Sequence, residues 1–197
     1  MKIYLNKSNK IKQKGTTPFC LRRGKMEKIG FFGGCFNPPT NIHIKLANNL
    51  IKTKKLDKVI FIPVNDTYEK NELISANHRL NMLKLAIKDY SNLEVDDIEI
   101  KENKKLFAVD AFKLIKEKYS KNCEIFFIMG SDNFEKMSKW KEYNKIKNQK
   151  FIVINRNKNQ ISSTQIREMI ANNNSEVQKY LSKEVYKYIE QNKLYKL

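Results

Sequence analysis

The chain has 197 residues, enough for one α/β domain with a sizeable core, and no run in it is apolar enough to span a membrane. No secretory h-region opens it, and Cys20, Cys35 and Cys123 are too scattered for a disulfide framework or a zinc site, so a cytoplasmic protein is expected. A formal net charge of +18 points towards nucleic acid, but the basic residues are overwhelmingly scattered Lys and the base-reading Arg is scarce, so nucleic-acid binding is not expected as the main function. The positive field would still draw in polyanionic nucleotides.

Residues 1–25 carry eight Lys or Arg, no acid and little periodicity, and read as a disordered basic extension. The domain is expected over 26–197. Its first strand covers Ile29, Phe31 and Phe32, breaks at Gly33-Gly34 and turns through Asn37-Pro38-Pro39. A helix starts near Thr40 or Asn41 and runs through Ile44, Leu46, Ala47, Leu50 and Ile51. Lys58–Pro63 is the second strand. After a polar loop, Ser75 caps a helix carrying Leu80, Leu83, Ile87 and Tyr90. Leu93–Ile100 reads as a more polar third strand near an edge. Phe107–Tyr119 is helical, and Glu124–Met129 is the most buried-looking strand, ending at Gly130-Ser131-Asp132. Short helical pieces are expected around Phe134 and over Trp140–Ile146. Phe151–Ile154 is the fifth strand. Ser162-Ser163-Thr164 open a helix over Gln165–Ala171, and Ser182 caps the last one. Strands alternating with helices imply a doubly wound, mostly parallel, Rossmann-like sheet of five to six strands with helices on both faces. Ligands of such sheets bind beyond the strand C-termini, near the switch point.

Two stretches on that edge carry chemistry. A strand, a glycine turn and a helix N-terminus form an anion site, because the first-turn N–H groups and the macrodipole favour negative charge. Gly33 and Gly34 let a ligand approach the backbone. Thr40 and His43, three apart, project from one face of the first turn. A plain βα turn with a buried histidine would look the same on spacing alone. Three hydroxyls at the start of the second stretch, Ser162, Ser163 and Thr164, exceed what one helix cap needs, and with Arg167 they suggest a second anion site. Asp132 at a strand end can accept from ribose hydroxyls, and the face of Trp140 suits a flat heterocycle, although taken alone a helix cap and core packing are the simpler explanations of those two residues.

Gly33-Gly34-Cys35-Phe36-Asn37-Pro38-Pro39-Thr40-Asn41-Ile42-His43 resembles the signature of the nucleotidyltransferase superfamily: a glycine pair, F-[DN]-P, then [HT]-x-G-H. Ile42 stands where that family has glycine. Ile161-Ser162-Ser163-Thr164-Gln165-Ile166-Arg167 resembles, more specifically, the I-S-S-T-x-I-R motif of the nicotinate mononucleotide adenylyltransferases. Gly130-Ser131-Asp132-Asn133 followed by Trp140, and Ala76-Asn77-His78-Arg79-Leu80, are similar to further motifs of that family. Phe107-Ala108-Val109-Asp110 departs from its Y-T-x-D, losing a hydroxyl that in relatives helps hold the pyridine carboxylate. The resemblance covers Lys28 to about Tyr195.

It implies adenylyl transfer from ATP to nicotinate mononucleotide, giving deamido-NAD and pyrophosphate. It assigns catalysis to His43 and Thr40, and ATP binding to Gly33, Gly34, Phe36, Thr40, His43, Lys70, Ser162, Ser163, Thr164 and Arg167. Asp132, Trp140, Lys141, Arg156 and Ala108 are assigned to the ribose and the mononucleotide. Mg²⁺ would be carried mainly by ATP phosphates, with no protein carboxylate cage. Ile42 is expected to obstruct adenine. Homo-oligomerisation and the choice between nicotinate and nicotinamide stay open. The alternatives are a phosphopantetheine-type adenylyltransferase, which shares the T-N-x-H form, or a non-catalytic nucleotide- or RNA-binding protein.

Overall fold

A computed structural model describes residues 2–4, 21–22, 25–53, 55–69, 72–102, 104–121, 123–155 and 161–196. In chain order the elements are β1 (Lys2–Tyr4), β2 (Leu21–Arg22), β3 (Lys25–Gly34), α1 (Asn41–Lys52), β4 (Lys58–Pro63), α2 (Ala76–Ile87), β5 (Leu93–Val95) and α3 (Ala108–Tyr119). There follow β6 (Cys123–Gly130), α4 (Ser131–Lys136), a 3₁₀ turn over Met137–Lys139, α5 (Tyr143–Ile146), β7 (Phe151–Ile154), α6 (Ser163–Ala171), a second 3₁₀ turn over Ser175–Lys179 and α7 (Lys183–Gln191).

The sheet order is β1-β7-β6-β3-β4-β5. Strands β3 to β7 are all parallel, as the alternating pattern requires. The chain steps outward from β3 to β4 and β5, then crosses to the other side of β3 for β6 and β7. The switch point therefore lies between β3 and β6, directly beyond Gly33-Gly34.

Period-two alternation sends side chains to two cores. Phe32, Phe61, Val59 and Ile128 pack with Ile44, Ala47 and Leu50 of α1 and Leu83 and Ile87 of α2. Phe31, Ile60, Ile62, Phe127 and Met129 pack on the opposite face with Ile115 of α3 and Ile146 of α5. Phe112 of α3 stacks on Phe127 with ring centroids 3.9 Å apart. A third cluster joins Met82 of α2 to Ile166, Ile170, Val185 and Ile189, fixing α6 and α7 to the body of the domain. Mid-strand Gly30 is closely approached: a Cβ there would lie 2.4 Å from Leu56 Cδ1 and 2.7 Å from Ile128 Cδ1, so those buried methyl groups would have to shift.

Three expectations shift. The third strand stops at Val95 instead of reaching Ile100. Buried Asp96 turns the chain there, accepting from Lys118 Nζ at 2.6 Å and from the Tyr119 hydroxyl, so an anchor to α3 replaces further ladder pairing. Trp140 sits in a bend between the 3₁₀ turn and α5, not in a helix, and Glu142 just beyond takes φ of 56°. Within 1–25, two short pieces are strands: β1 pairs antiparallel with β7 over Phe151–Val153, and β2 pairs antiparallel with the start of β3. The reading of that segment as structureless does not hold at those five residues, where an open sheet edge and the start of β3 offer pairing partners.

Candidate active site

The turn after β3 is shaped by three features. Phe36 takes φ of 46°, Asn37–Pro38 is cis, and Asn37 is buried. Asn37 is held at both ends of its amide: its Nδ2 donates to Glu72 O at 2.8 Å, and its Oδ1 accepts from the Tyr195 hydroxyl at 2.8 Å. The Arg79 guanidinium, completely buried in α2, donates to Cys35 O at 3.1 Å and to Ile74 O at 2.9 Å. These bonds hold the turn from beneath, so the glycine pair and the start of α1 have a fixed relation.

Thr40 is the N-cap of α1 and His43 is its third helical residue. The Thr40 N–H donates to His43 Nδ1 at 3.0 Å, and Thr40 Oγ1 lies 2.9 Å from the same nitrogen. An amide can only donate, so Nδ1 must accept, and in the neutral ring the proton sits on Nε2. The His43 ring meets the edge of Phe36, with centroids 5.3 Å apart. Phe36, assigned to ATP from the motif, is buried in the core against Phe32 and Phe61. Its place is behind the histidine, where it sets the ring's orientation. Ile42 is half-buried at the second helical position and lies outside the apolar core clusters among the described residues.

The second hydroxyl-rich stretch meets the first. Ser163 Oγ donates to Pro38 O at 3.0 Å, and Arg167 Nη1 donates to Asn37 O at 3.1 Å. The N-termini of α1 and α6 are thereby stapled side by side. Ser162 is spent as the cap of α6: its Oγ accepts from Gln165 N–H at 3.2 Å, and Gln165 Oε1 accepts from Ser162 N–H at 2.8 Å, a capping box. The side chains of Ser162 and Ser163 are thus structural in this state, while Thr164 is exposed and the first-turn N–H groups lie at the helix end. Arg167 is buried and already holds an anion. Its Nη2 and Nε lie 2.7 and 3.3 Å from Glu72 Oε2. Glu72 itself takes φ of 60°, and its side chain is 71% exposed. Around this pair is a cleft of about 450 Å³ that also includes Thr164, Tyr195 and Lys196.

A second cleft, of about 530 Å³, opens at the switch point. Gly33 and Gly34 form one end. Ala108, Phe112, Asn133, Trp140 and Lys141 form the other, and Glu99 lines it as well. A Cβ on Gly33 would meet nothing within 4 Å, so this backbone is open to the cleft. Trp140 is half-buried, and Lys141 Nζ lies 4.3 Å from the centroid of the Phe107 ring, a cation–π contact at the rim. Burial raises Glu99 to about 7, with Arg79 pulling the other way. Asp132 is exposed in the first turn of α4, and its neighbour Asn133 lines the cleft instead. Lys70 and Arg156 lie outside the described residues.

The motifs therefore converge: both helix N-termini, the glycine pair and the Trp140 cleft share the C-terminal edge of the sheet. The motif reading missed Asn37, Glu72 and Glu99. The signal for Glu99 was an acid flanked by Ile98 and Ile100; Glu72, in a polar loop, gave none.

Residues 31–169 match the cytidylyltransferase-like family. The chain is 35% identical over 193 residues to the probable nicotinate-nucleotide adenylyltransferase of Lactococcus lactis, covering 88% of this chain and 98% of that protein. It is 30% identical over 189 residues to the nicotinate-nucleotide adenylyltransferase of Bacillus subtilis, covering 86% and 99%. Among solved structures, the Plasmodium falciparum nicotinic acid mononucleotide adenylyltransferase complexed with NaAD superposes with a TM-score of 0.71 at 22% identity, over 86% of this chain and 97% of that one.

Proposed function

The chain belongs to the nicotinate-nucleotide adenylyltransferases of the cytidylyltransferase-like family, and from that premise we propose that it transfers the adenylyl group of ATP to nicotinate mononucleotide in NAD biosynthesis. The observation that carries the reading is the junction of the α1 and α6 N-termini, bonded through Pro38 O and Asn37 O, beside the open Gly33 backbone.

A mononucleotide phosphate oxygen forms the new bond to the α-phosphorus of ATP while the bond from that phosphorus to the pyrophosphate oxygen breaks. The nucleophile is already an anion, so no general base is needed, and rate comes from alignment and charge stabilisation. Gly33 and Gly34 bring backbone against phosphate. His43 donates from Nε2 to phosphate oxygens, its tautomer fixed by the Thr40 amide. Thr164, Arg167 and the first-turn amides of α6 take the triphosphate, whose charge displaces the Glu72 carboxylate from Arg167. Trp140 stacks on the pyridine ring, with Ala108 and Lys141 beside it and Asp132 towards the ribose.

Among the described residues no three His, Cys, Asp or Glu side chains converge, so a divalent ion, Mg²⁺ in our reading, would take its oxygens from the triphosphate and water. When bound, it neutralises phosphate charge. Among the described residues no helix is long and apolar enough to cross a membrane, and we assign the reaction to the cytoplasm. The test is pyrophosphate release with ATP, Mg²⁺ and each candidate acceptor: nicotinate mononucleotide, nicotinamide mononucleotide and phosphopantetheine. Fastest release with a pyridine mononucleotide supports the assignment. Release with phosphopantetheine alone, or with none, overturns it.

A further inference from the structure

Glu99 is buried, 9% exposed, in the turn after β5. Its carboxyl has no hydrogen-bond or ion-pair partner among the described residues. Among those residues no fully buried side-chain oxygen lacks a partner, so the Glu99 oxygens must reach open space, and the space this residue lines is the cleft shared with Ala108 and Trp140. An unpaired, nearly buried carboxyl facing a ligand cleft costs stability unless a ligand pairs with it.

Resting on the adenylyl-transfer reading above, we propose that Glu99 selects the acid form of the pyridine ring, donating a hydrogen bond from its protonated carboxyl to the carboxylate of nicotinate mononucleotide. Three observations support the donor role. Position 108, across the same cleft, is alanine and offers no hydroxyl. Burial raises Glu99 to about 7, so a large share of the carboxyl keeps its proton at neutral pH. An incoming carboxylate, a like charge at hydrogen-bond distance, would raise it further, so the two acids would share one proton. The charged and titratable groups that face or surround Glu99 are Arg79 from α2, Tyr68 and Glu69 from the loop after β4, Lys105 before α3 and Lys141 after the 3₁₀ turn. Lys105 is paired with Glu69 at 2.7 Å, and Lys141 rests on Phe107, so the cationic charge sits at the rim while the floor carries the acid.

The sign of the pH dependence follows. Above about 7 Glu99 loses its proton and repels the substrate carboxylate, so the KM for nicotinate mononucleotide should climb about tenfold per pH unit. Nicotinamide mononucleotide, whose uncharged amide both accepts and donates, should show no such climb. Glu99→Gln, which keeps an N–H donor at every pH, should remove the climb and retain a low KM for the nicotinate form. Glu99→Ala should raise that KM roughly tenfold or more at pH 6.

The experiment is KM for both mononucleotides from pH 6 to 8.5 in the wild type and both variants, with a melting curve on each protein. The titration of the substrate phosphate is common to wild type and variants and cancels in their ratio. Parallel pH profiles for the two mononucleotides, or a Glu99→Gln profile that keeps the wild-type slope, overturn the proposal while leaving the enzyme assignment intact. Absence of turnover by the wild type with either mononucleotide instead overturns the assignment itself.

Discussion

Gly33→Ala should separate binding from folding. Gly33 is the penultimate residue of β3, opposite Ile62 of β4, and a Cβ built on it meets no atom within 4 Å. Its φ lies outside the left-handed region, so alanine fits without strain. The methyl restricts the unfolded chain, and stability should stay level or rise by up to about 1 kcal/mol. The same methyl projects into the cleft where phosphate is to meet the backbone. A phosphate held off the strand end loses a charge-assisted hydrogen bond of about 1.5–3 kcal/mol, a drop of roughly 10- to 100-fold in kcat/KM. The neighbouring glycine is the internal contrast. A Cβ on Gly34 would lie 3.1–3.4 Å from the Phe36 ring, which backs His43, so Gly34→Ala should lose stability as well as activity. The assay is steady-state pyrophosphate release against both substrates, with a thermal melt of each protein. Full activity in a normally stable Gly33→Ala protein would refute the idea that the ligand reaches this backbone.

His43→Ala should lower kcat by about a hundredfold to a thousandfold with the melting temperature little changed; near-normal kcat in pyrophosphate release would remove His43 from the chemistry. Trp140→Ala should weaken the mononucleotide more than ATP, by roughly 1 kcal/mol of stacking; equal effects on the two KM values would return the indole to core packing. Glu72→Gln should lower the KM for ATP up to about fivefold, since the half-exposed pair with Arg167 is worth about 1 kcal/mol, and a rise in that KM would mean that Glu72 positions Arg167 instead of competing with ATP. Ile42→Gly should lower the KM for ATP and cost about 0.5–1 kcal/mol of helix stability; unchanged ATP kinetics would show that Ile42 faces away from adenine.

Strand and helix periodicity were legible because most strands are buried on both faces and the helices carry one apolar stripe. The parallel sheet and its switch point at Gly33-Gly34 follow from that alternation. The third strand reads too long in sequence because nothing local marks Asp96 as an anchor for Lys118 and Tyr119. At the site, motifs located the helix termini, but the division of labour inside each motif is tertiary. Ser162 and Ser163 look alike in sequence, yet one caps its own helix and the other staples Pro38. Phe36 sits in a ligand motif and packs in the core. Arg167 is legible as part of an anion site, but its bond to Glu72, 95 residues away, has no local signature.

The central claim is the fate of the adenylyl group. Incubation of the protein with ATP labelled at the α-phosphorus, nicotinate mononucleotide and Mg²⁺ should move the label into nicotinate adenine dinucleotide, identified by its mass, with one unlabelled pyrophosphate released per dinucleotide. Label that stays in ATP, or that appears only as AMP whether or not the mononucleotide is present, would contradict the account.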